Sequence, residues 1–375
     1  MRFKADRGRL SWVGVGLRVL VVLGCVQGVA GAATRSENAI LVTLDGVRWQ
    51  EVFGGADSRL ILNKAGGARD MVGTRAKFWR ETPEARREIL MPFFWSVVAK
   101  QGQVFGDPQH NSPACVVNTK KQSRAGYSEM LCGFVDEQAI NPPMNVLEWM
   151  NTRAGFTGRV SLYACWKPLL DVLHVERGKL TAFAGWEPLR DQPLTARESW
   201  LNELMTDLPR AWPEAVYDVV IMQGSLEHLR KRQPRVFHIS LNDTDECGHD
   251  RRYDLYLQAI QNSDRFIQRL WETIQSMPQY ASKTTLIIAA DHGRGSTEED
   301  WVEHGQEVAG AEMVWMAVLG PDTPAMGVRR DQPVTLSQVA ATLAAAVGED
   351  ACANEPRRAS ALPGAIEAVQ GKKDK

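Results

Sequence analysis

The chain of 375 residues carries 44 Lys+Arg against 45 Asp+Glu, a net charge of −1, with 44% hydrophobic and 24% charged residues. This is ordinary globular composition: it excludes disordered, collagenous and multi-span membrane chains, and the balanced charge gives no reason to expect nucleic acid as a bulk partner.

The charge is uneven along the chain. Residues 1–32 hold Arg2, Lys4, Arg7, Arg9 and Arg18 against Asp6 alone, a surplus of +4, which leaves 39 basic and 44 acidic residues, or −5, in the remainder. The basic start runs into the apolar residues 19–25 and then Ala30-Gly31-Ala32, the order of a charged leader, a short apolar stretch and a small-residue cleavage site. Export to the periplasm or the exterior is therefore expected, with a signal peptide over 1–32. Val22-Leu23-Gly24 before Cys25 leaves lipidation at Cys25 as the rival processing. The apolar stretch falls well short of the ~20 residues that cross a bilayer, so no transmembrane span is expected. After removal of 1–32, Cys115, Cys132, Cys165, Cys247 and Cys352 remain. That odd number leaves room for one or two disulfides, and no structural zinc spacing is present.

In chain order, residues 39–44 form a continuous apolar run of strand length that ends on Asp45, as expected for a strand buried on both faces. Thr82-Pro83-Glu84 combines a capping hydroxyl with proline in the first turn and predicts a helix start. Strand-like runs recur at 160–164, 236–241, 285–290 and 313–319. Between the second and third of these, Tyr253, Tyr256, Leu257, Ile260, Ile267, Leu270, Trp271 and Ile274 repeat at helical spacing and predict one apolar helix face. Thr335 is expected to cap a last helix through Leu336, Val339 and Leu343 that stops at Gly348. Strands alternating with helices predict an α/β fold, a doubly wound and mostly parallel sheet with helices on both faces, in one domain over 33–350. Residues 351–375 read as a loosely ordered tail.

In such a sheet, ligands bind at the carboxyl ends of the strands. Asp45 follows the first run, Asp245 and His249 follow the 236–241 run, Asp291 and His292 follow the 285–290 run, and His304 lies shortly downstream. Three carboxylates gathered on one rim require cations, and mixed His/Asp ligands suit zinc in preference to manganese. Ser123 precedes an apolar helical stretch through Gly133. It is either a helix cap or a nucleophile presented at a helix N-terminus, where free N–H groups favour an anion. Arg124, Asn118, Asn141, Lys167 and Arg294 are candidate donors to phosphoryl oxygens. Trp166, Trp186 and the stretch 49–53 either line a leaving-group pocket or belong to the core.

Taken together, Asp45, the Ser123 segment, Asp245-Glu246-Cys247-Gly248-His249, Asp291-His292-Gly293 and His304-Gly305 resemble the alkaline phosphatase superfamily. The nearest likeness is to its nucleotide pyrophosphatase/phosphodiesterase-like branch and to bacterial exported proteins labelled phosphoglyceromutase or sulfatase-like. The resemblance implies two divalent metal ions, one held by Asp245, His249 and His304, the other by Asp45, Asp291, His292 and the Ser123 oxygen. It implies Ser123 as the catalytic nucleophile of a metal-dependent phosphodiesterase or phosphomonoesterase acting on a small-molecule phosphate ester. A phosphomutase of the cofactor-independent phosphoglycerate mutase type and a sulfatase-like hydrolase are the alternatives. Sulfatases of the superfamily carry Pro and Arg two and four residues beyond the nucleophile, where this chain has Ala125 and Tyr127. The mutases insert a large domain for which the interval 133–235 is short.

Overall fold

A run of residues that is apolar on both sides can be satisfied only inside a sheet covered on both faces, and in a computed structural model of the chain Asn38–Leu44 is the central strand, β1, with all seven residues buried. The structure describes residues 34–136 and 143–367; the expected leader and Asn141 lie outside them. The further strands are β2 Gln103–Phe105, β3 Ala114–Cys115, β4 Val160–Ala164, β5 Thr181–Ala184, β6 Val236–Leu241, β7 Thr284–Ala289, β8 Met313–Val314, β9 Met316–Leu319, β10 Gly327–Val328 and β11 Val334–Thr335. Eight of them form one sheet in the order β10-β2-β9-β7-β1-β6-β4-β5, and β11-β3-β8 form a small second sheet. β1 runs parallel to both β6 and β7, while β9 is antiparallel to both β7 and β2. The sheet is therefore mixed but mostly parallel.

The helices that matter for the site are α1 Pro83–Leu90, α2 Ser123–Cys132, α3 Asp243–His249, α4 Tyr253–Ser276 and α5 Gln338–Ala345. Thr82 caps α1 by accepting from Ala85 N, as the sequence predicts. Along α4 the expected apolar face is buried, except for Trp271, which is only partly buried. Among the described residues, no helix is long and apolar enough to cross a membrane, and the five cysteines are free.

Three expectations are corrected. The 313–319 run is not one strand: β8 joins the small sheet and β9 the large one, and the break falls at fully buried Trp315, whose indole N–H donates to Val47 O at 2.9 Å. Thr335 does not cap the last helix. It lies in β11, its own N–H donates to Gln338 Oε1 at 3.0 Å, and α5 begins three residues later. The segment 351–367 is not loose. Arg358 is 4% exposed and donates to Cys132 O, Ala351 O and Met144 O at 3.0, 3.0 and 2.8 Å, with Leu362 and Ala365 buried beside it. Three carbonyls satisfied by one guanidinium outweigh the ordering cost that the polar composition of this segment suggests.

His228 on the helix Asp218–Arg232 is buried against Ser161 Oγ at 2.9 Å, and burial depresses its pKa from 6.5 to about 4. The folded state thus excludes a proton that the unfolded chain binds below pH 6.5. Stability from this group is complete above that pH and is lost as pH falls toward 4. His228→Gln is expected to reduce the loss of unfolding free energy between pH 7 and 5 by about 1–2 kcal/mol, measured by chemical denaturation at both pH values.

Candidate active site

Because β1 lies between β6 and β7 and all three are parallel, their carboxyl ends open onto one rim. Asp45 leaves β1, α3 with Asp245 and His249 follows β6, and Asp291 and His292 follow β7. His304 arrives from the loop before β8. The sheet register thus makes neighbours of residues as far apart in sequence as Asp45 and His292.

Their ligand atoms form two groups, Asp45 with Asp291 and His292, and Asp245 with His292 and His304, each within 4.8 Å. His292 stands between them, its Nε2 3.2 Å from Asp45 Oδ1, 3.6 Å from Asp291 Oδ2 and 3.9 Å from Asp245 Oδ1. His249 completes the second group at the surface: its Nε2 is 3.2 Å from Asp245 Oδ2 and 3.0 Å from His304 Nε2. All six rim residues named from the sequence, three Asp and three His, are thereby brought together.

Ser123 is the first residue of α2, with Gln122 in the capping position. Its Oγ donates to Asp45 Oδ1 at 3.4 Å and lies 3.2 Å from His292 Nε2. A plain capping role for Ser123 is therefore excluded; the hydroxyl faces the cluster instead of its own helix.

The electrostatics reveal a site short of positive charge. Burial and the charges of Asp291 and Asp245 push Asp45 up to about 7. Asp291 is also raised, by burial first. For His292, burial opposes the charged ring, but Asp291, Asp45 and Asp245 outweigh it and push its pKa up to about 10. For His304, half-buried, desolvation first and then the neighbouring His292 push its pKa down to about 2. Asp291 Oδ2 is buried without a hydrogen-bond partner, and two histidine nitrogens face each other across 3.0 Å. Converging lone pairs, an orphaned carboxylate oxygen and mutual repulsion are the features a divalent cation would resolve, so the residues fit two such ions.

Several contributors carry no motif and were missed from the sequence. Tyr127 OH donates to Asp45 Oδ2 at 3.2 Å and pairs with Ser240 Oγ at 2.9 Å, holding the carboxylate. Thr244 Oγ1 donates to Asp45 O at 2.6 Å and Gly46 N to Asp291 Oδ1 at 3.1 Å. Glu129, buried on α2, accepts from Val117 N, Asn118 N and Asn118 Nδ2, and so holds the loop before Ser123. Gly126 is needed for contact, since a Cβ there would lie 2.2 Å from Asp291 O.

A cavity of about 360 Å³ opens beside Ser123, lined by Gln122, Arg124, Trp166, Asn242, Asp245, Glu246, His249 and His304. Arg124 and Trp166 therefore reach the site, with the guanidinium 5.5 Å from the ring centre. The other candidate donors do not. Asn118 is occupied by Glu129, Lys167 pairs with Glu187 at 2.9 Å on the exposed surface, and Arg294 is fully buried behind Asp245. Trp186 is buried and donates to Trp212 O, and Val52 and Phe53 belong to the core.

The mostly parallel α/β sheet gathers Asp and His at its strand ends into a candidate metal centre. Residues 213–351 match the family model of the Metalloenzyme superfamily. Among solved structures the chain is similar to a protein in the alkaline phosphatase superfamily from Vibrio parahaemolyticus (12% identity, 89% of this chain and 71% of that chain, TM-score 0.50). It is similar also to a 2-O GAG sulfatase (11%, 89% and 76%, 0.51) and to a lipoteichoic acid synthase from Listeria monocytogenes (9%, 84% and 72%, 0.50). No curated protein sequence matches it. The chain therefore has an alkaline phosphatase-like fold, and its residues 213–351 match the Metalloenzyme superfamily.

Gly126→Ala is expected to displace α2 from Asp291, destabilising the fold by about 1–3 kcal/mol. Metal affinity should fall with it, measured by thermal unfolding and zinc titration of the same variant.

Proposed function

We propose that the protein is an exported, metal-dependent hydrolase of phosphate esters that works through a covalent phosphoserine at Ser123. The observation that carries this reading is the Ser123 hydroxyl, at the first turn of a ten-residue helix and within 3.4 Å of both Asp45 and His292. A hydroxyl needs both a charge to lower its pKa and an anion site for the group it attacks, and this position offers the two together. Asp45, Asp291, His292 and Ser123 Oγ would hold one divalent ion, Asp245, His249 and His304 the other, with zinc favoured by the donor set. When bound, the ions supply Lewis-acid stabilisation of the attacking and leaving oxygens.

The chain's own groups do the rest. His292 Nδ1 donates to Gly293 O at 2.9 Å, which turns Nε2 toward Ser123 and leaves it as the ligand atom. Tyr127 fixes Asp45, and the N–H groups at the start of α2 face the phosphoryl oxygens. Ser123 Oγ attacks phosphorus, forming the Oγ–P bond while the ester bond breaks and the alcohol departs into the cavity beside Trp166. Water then cleaves the Oγ–P bond and regenerates the hydroxyl. Arg124 at the cavity wall is the non-metal cation available to the transferred group. The place where a sulfatase has arginine is taken by Tyr127, already engaged with Asp45, which supports phosphate over sulfate as the transferred group.

Ser123→Ala is expected to lower turnover of aryl phosphate mono- and diesters by about 10³-fold or more while zinc remains bound. Steady-state rates paired with metal analysis of the purified variant check this, and hydrolysis at the native rate would refute the nucleophile.

A further inference from the structure

Arg294 is the largest charged side chain that is fully buried, and it does not reach the cavity. Its Nη2 donates to Asp245 O at 2.7 Å and also to Asp245 Oδ1, and its Nη1 donates to Val302 O. Asp245 and His304 are two of the three side chains in the outer half of the centre, and Val302 lies two residues before His304. One planar guanidinium therefore ties both ligand-bearing segments together from behind. By taking Oδ1 of Asp245 it leaves Oδ2 on the side of His249, 3.2 Å away.

The backbone is cut to admit this group. A Cβ on Gly248, in α3 next to His249, would lie 2.7 Å from Arg294 Cζ. A Cβ on Gly46, next to Asp45, would lie 2.8 Å from Arg294 Nε. The guanidinium passes between two glycines, each adjacent in sequence to a proposed ligand. A buried arginine is costly unless its fork is satisfied; here both Nη atoms pair, among the described residues, with acceptors on the segments carrying Asp245 and His304, while Nε has no hydrogen-bond partner.

We propose that Arg294 is a positioning residue that sets the Asp245–His249–His304 half of the centre before any ion arrives, and that the Asp45–Asp291–His292 half does not depend on it. This rests on the two-metal reading above. Two variants test it by zinc titration calorimetry and metal analysis of the full chain. Arg294→Lys keeps a buried positive charge but has no fork. Gly248→Ala keeps the arginine and every ligand but places a methyl group against the guanidinium.

The native chain is expected to bind two zinc ions. Each variant should retain one at native affinity and bind the second about 10–100-fold more weakly, the range seen when a ligand's supporting partner is lost. Two ions at native affinity in a folded variant would overturn the role of Arg294 while leaving the two-metal reading intact. No zinc bound by the native chain would remove that reading, and this inference with it. Should neither variant fold, as read by far-ultraviolet circular dichroism, Arg294 is a determinant of the fold as a whole and the selective role is refuted.

Discussion

Three buried carboxylates, Asp45, Asp245 and Asp291, each lie within 3.9 Å of His292 Nε2 at the ends of adjacent strands. Burying one unpaired carboxylate costs several kcal/mol, and gathering three multiplies the cost through mutual repulsion. Much of the surrounding architecture answers that constraint. Arg294 neutralises Asp245 from behind, Tyr127 and Gly46 donate to Asp45 and Asp291, and His292 sits between all three. What these groups leave unpaid, chiefly the unpartnered Asp291 Oδ2, is the electrostatic opening for divalent cations.

The same constraint explains where side chains are missing. Gly126 lets α2 approach the Asp291 backbone, so that the helix N-terminus and Ser123 arrive at the cluster together. Gly46 and Gly248 clear a channel for a guanidinium that no solvent reaches. Such positions transmit the demands of the site into the packing of helices whose sequences otherwise look ordinary. The shifts a methyl group would force at these glycines are hard to absorb because the surrounding core is densely packed.

Much of the fold was legible in the chain because a strand buried on both faces must be apolar throughout. β1, β4, β6 and β7 announced themselves to within a residue, and α4 showed its face through the spacing from Tyr253 to Ile274. The split at Trp315 was not legible, since an apolar run does not say which of two sheets each half joins. Nor was the anchoring of 351–367, where polar residues suggested a loose tail and Arg358 found two carbonyls from distant segments, Cys132 and Met144, besides Ala351 nearby.

For the site, the sequence by itself determined the reactive groups: Asp, His and Ser at strand and helix ends are chemical identities that no fold can alter. Tertiary structure alone decided their grouping and support. His292 lies between the two Asp/His groups, Ser123 turns its hydroxyl away from its helix, and Arg294 stands behind the site instead of in it. Those outcomes depend on strand order and register, which place β1 between β6 and β7, and on contacts between residues far apart in the chain. A one-dimensional pattern records which side chains are present and at what spacing, whereas distance and burial set their charge and direction.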